Sequence, residues 1–345
     1  MNSINTLSNI EVIHKHSPIS AVHGLEKIRY RRLSQAFEPM TRLLGTRDRI
    51  SNADVLIQSG APVYWCHSGG PHCADNEWFA PLIRKRFLLD RRGRKFLNIA
   101  GGSCQRYHSN GSELDICQKC SAYIREFFDV CDLTLLRDEL ARTMLRKAGR
   151  DAVVLPCTSI FARDRLGLTA GVGEYIVLNF MENGGHFTFG QRIDRNLWRS
   201  QFQQLAREAR KHGRVVIACH NIGEEKLAQQ LVPDLERFLV PNEHSEFMKF
   251  YARAKWGIVN RVHAGFMMAS FGKPAVVIGN DTRALMINNL DLPSVFVGDV
   301  QSIGVGALVN RAQSRASTYI DEIEEIRSNA KRSYVSAIGD ALAAS

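Results

Sequence analysis

The stretch from Lys255 to Asp281, KWGIVNRVHAGFMMASFGKPAVVIGND, decides the fold. Trp256 to Val259 is a short apolar run of the kind buried in a parallel sheet. It stops at Asn260-Arg261-Val262-His263. A small-residue apolar helix follows from Ala264, and Gly272-Lys273-Pro274 ends it. Ala275 to Ile278 then reads as the next strand. Arg261 and His263 therefore fall between the carboxyl end of one strand and the start of the next helix, where open parallel sheets bind ligands. A helix amino terminus favours anions, so an Arg and a His there point to an anionic substrate. The plain alternative is a His that caps the helix and an Arg paired with a carboxylate.

The same alternation occurs twice along the chain. In the first half, strands are expected at Ala53–Gln58, Lys95–Ala100, Asp132–Leu136 and Ala152–Leu155. Helices are expected at Ala21–Leu44, Glu77–Asp90, Cys117–Phe128 and Glu139–Ala148, with Gly101-Gly102-Ser103 turning out of a strand. Arg163 to Gly173 reads as a linker. In the second half, strands are expected at Tyr175–Asn179, Arg214–Cys219, Trp256–Val259, Ala275–Ile278 and Ser294–Val297. Helices at Arg195–His212, Gly223–Val232 and Glu243–Arg253 separate them, and one helix is expected from about Gln313 to Ala344. Short apolar strands alternating with helices of 10–15 residues give parallel α/β sheets. The expected architecture is thus two Rossmann-like domains facing a cleft: 1–167 on the acceptor side and 168–312 on the donor side. Residues 313–345 are expected to form a helix packing back on the first domain.

Composition narrows the function. The chain has 345 residues, 45% hydrophobic and 23% charged, with 45 Lys and Arg against 35 Asp and Glu. The excess of ten positive charges fits an anionic ligand. Arg is spread rather than blocked, so nucleic acid is not an expected partner. MNSINTLSNIEVIHKHSPIS has no apolar core of a secretory signal, and no run approaches 18 apolar residues. A cytoplasmic protein is expected. There is no GxGxxG with an acidic partner and no GxxxxGK[ST], which argues against a nicotinamide cofactor and a P-loop.

Seven of the eight cysteines precede residue 160. In a reducing compartment they are expected to be thiols rather than disulfides. Cys117-x-x-Cys120 has a zinc-type spacing, and Cys66, His67, His72 and Cys73 are further ligand types nearby. No second C-x-x-C is present, however, and buried free cysteines are common core residues. The expectation is no metal and no cofactor; were a metal bound, it would be structural.

Two elements resemble the polysaccharide pyruvyl transferase family. The first is Arg261-Val262-His263-Ala264, then Gly272-Lys273-Pro274, then Asp281-Thr282-Arg283. The second is Arg137-Asp138, a helix ending in Gly149, and Val153-Val154-Leu155-Pro156. Together they span about residues 130 to 300. Four positions depart from the family pattern: Gln58-Ser59-Gly60-Ala61-Pro62 for a Gly-Gly-Gly loop, Arg283 for Lys, Cys157 for Asp and Ala141 for Ser. The resemblance implies a GT-B-like fold and a transferase. It would move a pyruvyl group from phosphoenolpyruvate to a sugar of a cell-surface polysaccharide or glycan precursor, forming a pyruvate ketal. Its partners would be phosphoenolpyruvate and a sugar acceptor, with peripheral contact to a lipid-linked glycan as one option. It implies His263 as general acid, a role suited to imidazole. Arg137, Arg261 and Arg283 would hold the donor anion, and Gly265 would leave room for its phosphate. His186 and His220 follow strands and are candidates for sugar hydroxyls or plain loop residues. The alternatives are a GT-B-type glycosyltransferase using a nucleotide sugar, with Arg261 and Arg283 on the diphosphate, and a non-catalytic ligand-binding relative.

Overall fold

The computed structural model describes residues 10, 50, 53–76, 78–84, 87, 88, 91, 93–182, 191–240 and 243–344. The helix expected at Ala21–Leu44, the loop around His186 and most of the second half of the helix expected at Glu77–Asp90 lie outside them. Within that last segment, the structure describes one helical stretch, Phe79–Arg84, together with Trp78, Phe87 and Leu88.

Two separate parallel sheets form, as the doubled alternation requires. The first contains β1 (Val55–Ser59), β2 (Pro62–Tyr64), β3 (Lys95–Ser103), β4 (Leu133–Leu136) and β5 (Val153–Val154). Its order is β1-β3-β4-β5, with β2 pairing the far end of β3. Helices α1 (Gln118–Asp129) and α2 (Glu139–Lys147) cover one face, and a short helix, α3 (Ala162–Leu166), lies where a linker was expected. It stops at Gly167, whose φ of +62° suits glycine.

The strand β3 corrects the sequence reading. Gly101-Gly102-Ser103 does not turn out of the strand but continues it. Its neighbours explain the glycines. A Cβ on Gly101 would lie 2.7 Å from the Asn98 side chain, and one on Gly102 would lie 2.4 Å from Arg137 Nε. Ser103 is fixed in turn by Asp138, whose carboxylate accepts from Ser103 N at 2.8 Å and Ser103 Oγ at 2.7 Å. The same carboxylate caps α2 by accepting from Ala141 N at 2.7 Å.

The second sheet holds β6 (Tyr175–Leu178), β7 (Val215–Ala218), β8 (Glu236–Phe238), β9 (Ala254–Val259), β10 (Ala275–Gly279) and β11 (Ser294–Phe296). Its order is β11-β10-β9-β6-β7-β8. Its central strands are buried along almost their whole length, because helices cover both faces. On one face, Trp198, Phe202 and Leu205 of α4 (Arg195–Arg210) pack with Leu308 and Val309 against β6, β7 and β10. The other face takes α6 (His244–Ala252) and α7 (Val262–Ser270); α5 (Ile222–Leu231) connects β7 to β8. Met268 of α7 is fully buried, and a Cβ on Gly257 would lie 2.8 Å from its sulfur. β8 and the 3-10 helix Thr282–Leu290 had no clear sequence signal.

The helix expected from about Gln313 to Ala344 forms as one continuous α10 (Tyr319–Ala343), preceded by two shorter helices, α8 (Val300–Ile303) and α9 (Val305–Gln313). α10 lays Tyr334 and Ile338 on Leu97, Ile99 and Leu135 of the first sheet, while its Tyr319 and Ile323 join the core of the second. Among the described residues, no helix is long and apolar enough to cross a membrane.

Candidate functional site

The carboxyl ends of the two sheets meet, and the junction is hydrogen-bonded. Gln105, just after β3, donates its backbone N–H to Thr282 Oγ1 at 2.9 Å and accepts from Thr282 N at 3.0 Å. Asn289 donates to the carbonyl of Arg137 at 2.9 Å.

In the second sheet the strand order reverses between β6 and β9, which makes a switch point. Asn179 follows β6 there and Arg261 follows β9. The Arg261 N–H donates to Asn179 Oδ1 at 2.9 Å. The Arg261 guanidinium reaches Glu224 on α5, with Nε 2.7 Å from Oε1 and Nη2 on the same oxygen. Glu224 Oε2 accepts from His220 N at 2.9 Å and from His220 Nδ1 at 3.2 Å. A carboxylate only accepts, so Nδ1 donates to it, and Nε2 pairs with the Tyr251 hydroxyl 2.9 Å away. Burial alone would raise the Glu224 carboxyl. Hydrogen bonds from His220 and Arg261, with the guanidinium charge, outweigh it and hold the group at about 2.

This geometry decides between the two readings of Arg261: it is paired with a carboxylate. His220 is likewise committed, with both ring nitrogens bonded inside the fold and the ring stacked 4.9 Å from Phe247. It is not offered to a sugar. Arg283 is held similarly, its Nε and Nη2 2.9 and 2.6 Å from the two oxygens of Asp281. Gly265 does not serve phosphate either. A Cβ there would lie 2.8 Å from Val277 Cγ2 and 3.3 Å from Ile287, so packing of α7 on β10 requires the glycine. His186 lies outside the described residues.

Arg137 and His263 come from opposite sheets and approach through Cys157. Arg137 ends β4 and is 1% exposed. Its Nη1 donates to Gly60 O at 2.7 Å, while its buried Nε has no hydrogen-bond partner. Cys157 follows β5 and packs in the same core as Ala264 and Phe266 of α7. Burial pushes its thiol up, but the exposed His263 and the nearby Arg137 charge prevail and bring it down to about 6. Arg261, the amino-terminal cap residue of α7, gives no side-chain cap, so the N–H groups of Val262 and His263 have no capping side chain, while those of Ala264 and Gly265 donate to Arg261 O at 3.0 and 3.4 Å. The arrangement offers an imidazole, an unpartnered guanidinium N–H and a helix amino terminus at one meeting of the two sheets. Arg137 and Arg261, expected to share one anion, instead have separate partners, Gly60 O and Glu224.

Sequence reasoning missed Glu224 and Asn179, and singled out Cys157 only as a departure from the family pattern. Asn221 caps α5 by accepting from Glu224 N at 2.9 Å, but nothing in the sequence announces the pairing of Glu224 with an arginine 37 residues away. All eight cysteines are free thiols. Against the expectation of no metal, Cys66, His72, Cys117 and Cys120 converge, whereas His67 stays outside that group.

Two parallel sheets joined at their carboxyl edges, with a terminal helix crossing from one to the other, define an α/β protein of GT-B-like architecture. No protein-family model matches the sequence, and no curated protein matches it. Among solved structures, the chain is similar to the S. aureus MnaA–UDP co-structure at 13% identity and a TM-score of 0.45, covering 88% of this chain and 80% of that one. It is similar to a glycosyltransferase from Rickettsia africae at 9% identity and a TM-score of 0.46, covering 100% and 88%. It is also similar to the Methanocaldococcus jannaschii UDP-GlcNAc 2-epimerase in complex with UDP-GlcNAc and UDP, at 9% identity, a TM-score of 0.44, and 89% and 81% coverage. These are likenesses of fold, and they assign no family.

Proposed function

We propose that this chain is a transferase that moves a group from an anionic, activated donor to a sugar at the meeting of the two sheets. The observation that carries the proposal is that Arg137, whose carbonyl accepts from Asn289 of the second sheet's side, and Cys157, packed against the start of α7 that bears His263, lie at one junction of the two sheets. A buried guanidinium with an N–H left over favours an anion next to it, because unpaired buried charge is costly. An uncapped helix amino terminus adds N–H donors for the same anion. His263, exposed at that terminus, is the group able to move a proton during transfer.

In its specific form the donor is phosphoenolpyruvate and the product a pyruvate ketal. Arg137 binds the donor, and His263 delivers a proton to the donor's methylene carbon. This form is supported by the two sequence elements that contribute Arg137 and His263. Arg261 and Arg283, already paired with carboxylates, position the loops rather than grip the donor. The second reading is a nucleotide-sugar donor, whose diphosphate suits the same uncapped terminus.

Calorimetric titration of the full chain with phosphoenolpyruvate, UDP and UDP-GlcNAc separates the two. Binding of phosphoenolpyruvate that weakens at least about tenfold in Arg137→Met supports the first form. Binding of UDP alone replaces it with the second. Binding of none of the three would remove the proposal.

A further inference from the structure

Away from the junction of the sheets, four side chains from two separate segments point at one place. Cys66 follows β2, and His72 comes six residues later. The two form an antiparallel bridge that folds residues 67–71 into a tight loop. The loop closes with Gly70 N donating to His67 O at 2.8 Å and His67 N to Pro71 O at 3.3 Å. Gly69 and Gly70 take φ of +82° and +83°, which glycine adopts without strain. Cys117 is the amino-terminal cap residue of α1, and Cys120 lies in its first turn. Three residues apart on a helix start, their sulfurs share one side.

The four ligand atoms all lie within 4.8 Å of one another. Cys66 Sγ is 3.6 Å and Cys117 Sγ 3.8 Å from His72 Nδ1. A tetrahedral zinc ion with Zn–S of about 2.3 Å and Zn–N of about 2.05 Å sets sulfur–nitrogen edges of about 3.6 Å and sulfur–sulfur edges of about 3.8 Å. The two sulfur–nitrogen separations lie within about 0.2 Å of that edge, and no pair of the four ligand atoms is more than 4.8 Å apart.

We propose that Cys66, His72, Cys117 and Cys120 bind a structural zinc ion. Three soft thiolates and an imidazole select zinc over calcium or magnesium. The protein fills all four positions, so the site has no open place for catalysis. Cys73, buried in the same core cluster as Cys120, is an outer neighbour of the site.

The ion would stabilise a part of the first sheet's surroundings that has little regular structure, and that part reaches the junction. Gln105 grips the Cys66 backbone at both ends, accepting from Cys66 N at 2.9 Å and donating to Cys66 O at 2.7 Å. The same residue is the one that pairs with Thr282 of the second sheet. Zinc would therefore hold one wall of the junction in register without touching substrate.

The test is elemental analysis of untagged, full-length protein grown with zinc supplied. One zinc per chain is expected. Cys117→Ser and His72→Ala should each lower retained zinc at least about tenfold after dialysis, since loss of a ligand costs more than loss of an outer partner. Cys219→Ser, in the core of the second sheet, should leave it unchanged. If the ligand variants do not fold, cobalt exchange into the wild-type protein gives the second readout. The expected spectrum has thiolate-to-cobalt charge transfer and the ligand-field bands of a tetrahedral ion. Folded wild-type protein without zinc, with all eight thiols titrating freely, would overturn the proposal. So would a disulfide joining any two of the three cysteines, or an octahedral cobalt spectrum.

Discussion

Replacing Glu224 by glutamine should destabilise the second sheet by about 3 kcal/mol at neutral pH. The carboxylate is 6% exposed and accepts from His220 N, His220 Nδ1, Asn221 Nδ2, Arg261 Nε and Arg261 Nη2. Its pKa falls from an ordinary 4.5 to about 2. That difference is worth about 3 kcal/mol of preference for the charged form. That figure lies at the low end of the 3–5 kcal/mol, or roughly so, lost when one partner of a buried ion pair is removed. Arg261 is 37% exposed and can recover some hydration, which lowers the cost. An amide of the same shape also turns an NH2 towards groups that are themselves donors. The sign with pH follows from the depressed carboxyl. Its contribution is complete above about 4.5 and is lost as pH falls through about 2. Urea unfolding of wild type and Glu224→Gln should give a gap of about 3 kcal/mol at pH 7 that narrows below pH 4.5. A gap under about 0.5 kcal/mol at pH 7 would refute the claim that this network holds the switch point.

Gly265→Ala should cost about 1–3 kcal/mol by overpacking against Val277, and an unchanged melting temperature would contradict the close approach. Tyr251→Phe should cost about 1–2 kcal/mol, because it leaves His220 Nε2 without its partner; thermal unfolding reads it. Cys157 titrates at about 6 in the fold against 9.0 unfolded, so it contributes stability that is complete above pH 9 and lost as pH falls through 6. Wild type should therefore gain stability relative to Cys157→Ser between pH 6 and 9, and parallel curves would count against a thiolate there.

The parallel sheets were legible because buried strands leave short apolar runs that local composition reveals: YIVL, VVIA and AVVIG all became strands. The site was legible only where its parts are adjacent in sequence. Asp138, Asn221 and Asp281 cap the helices that follow them, and such caps have fixed short spacings. What decides the chemistry is not adjacent. Glu224 neutralises Arg261 across 37 residues, and no spacing announces it. The same holds for Gly102, whose need for a bare Cα arises from Arg137, and for Gly265, set by Val277 from the next strand. A glycine next to a candidate anion site reads as phosphate room in sequence and as packing in three dimensions. The cysteine ligands show the same limit. Cys117-x-x-Cys120 was visible as half a site, but the bridge that carries Cys66 and His72 to it was not.

The most direct measurement of the central claim is phosphate release from phosphoenolpyruvate in the presence of sugar acceptors, comparing wild type with His263→Gln. The proposed role predicts that wild type releases phosphate and forms a ketal. The amide variant should bind the donor with similar affinity yet turn over about 100-fold more slowly, the usual worth of a positioned acid. Equal rates in the two proteins, or release of UDP from a nucleotide sugar with none of phosphate from phosphoenolpyruvate, would contradict it.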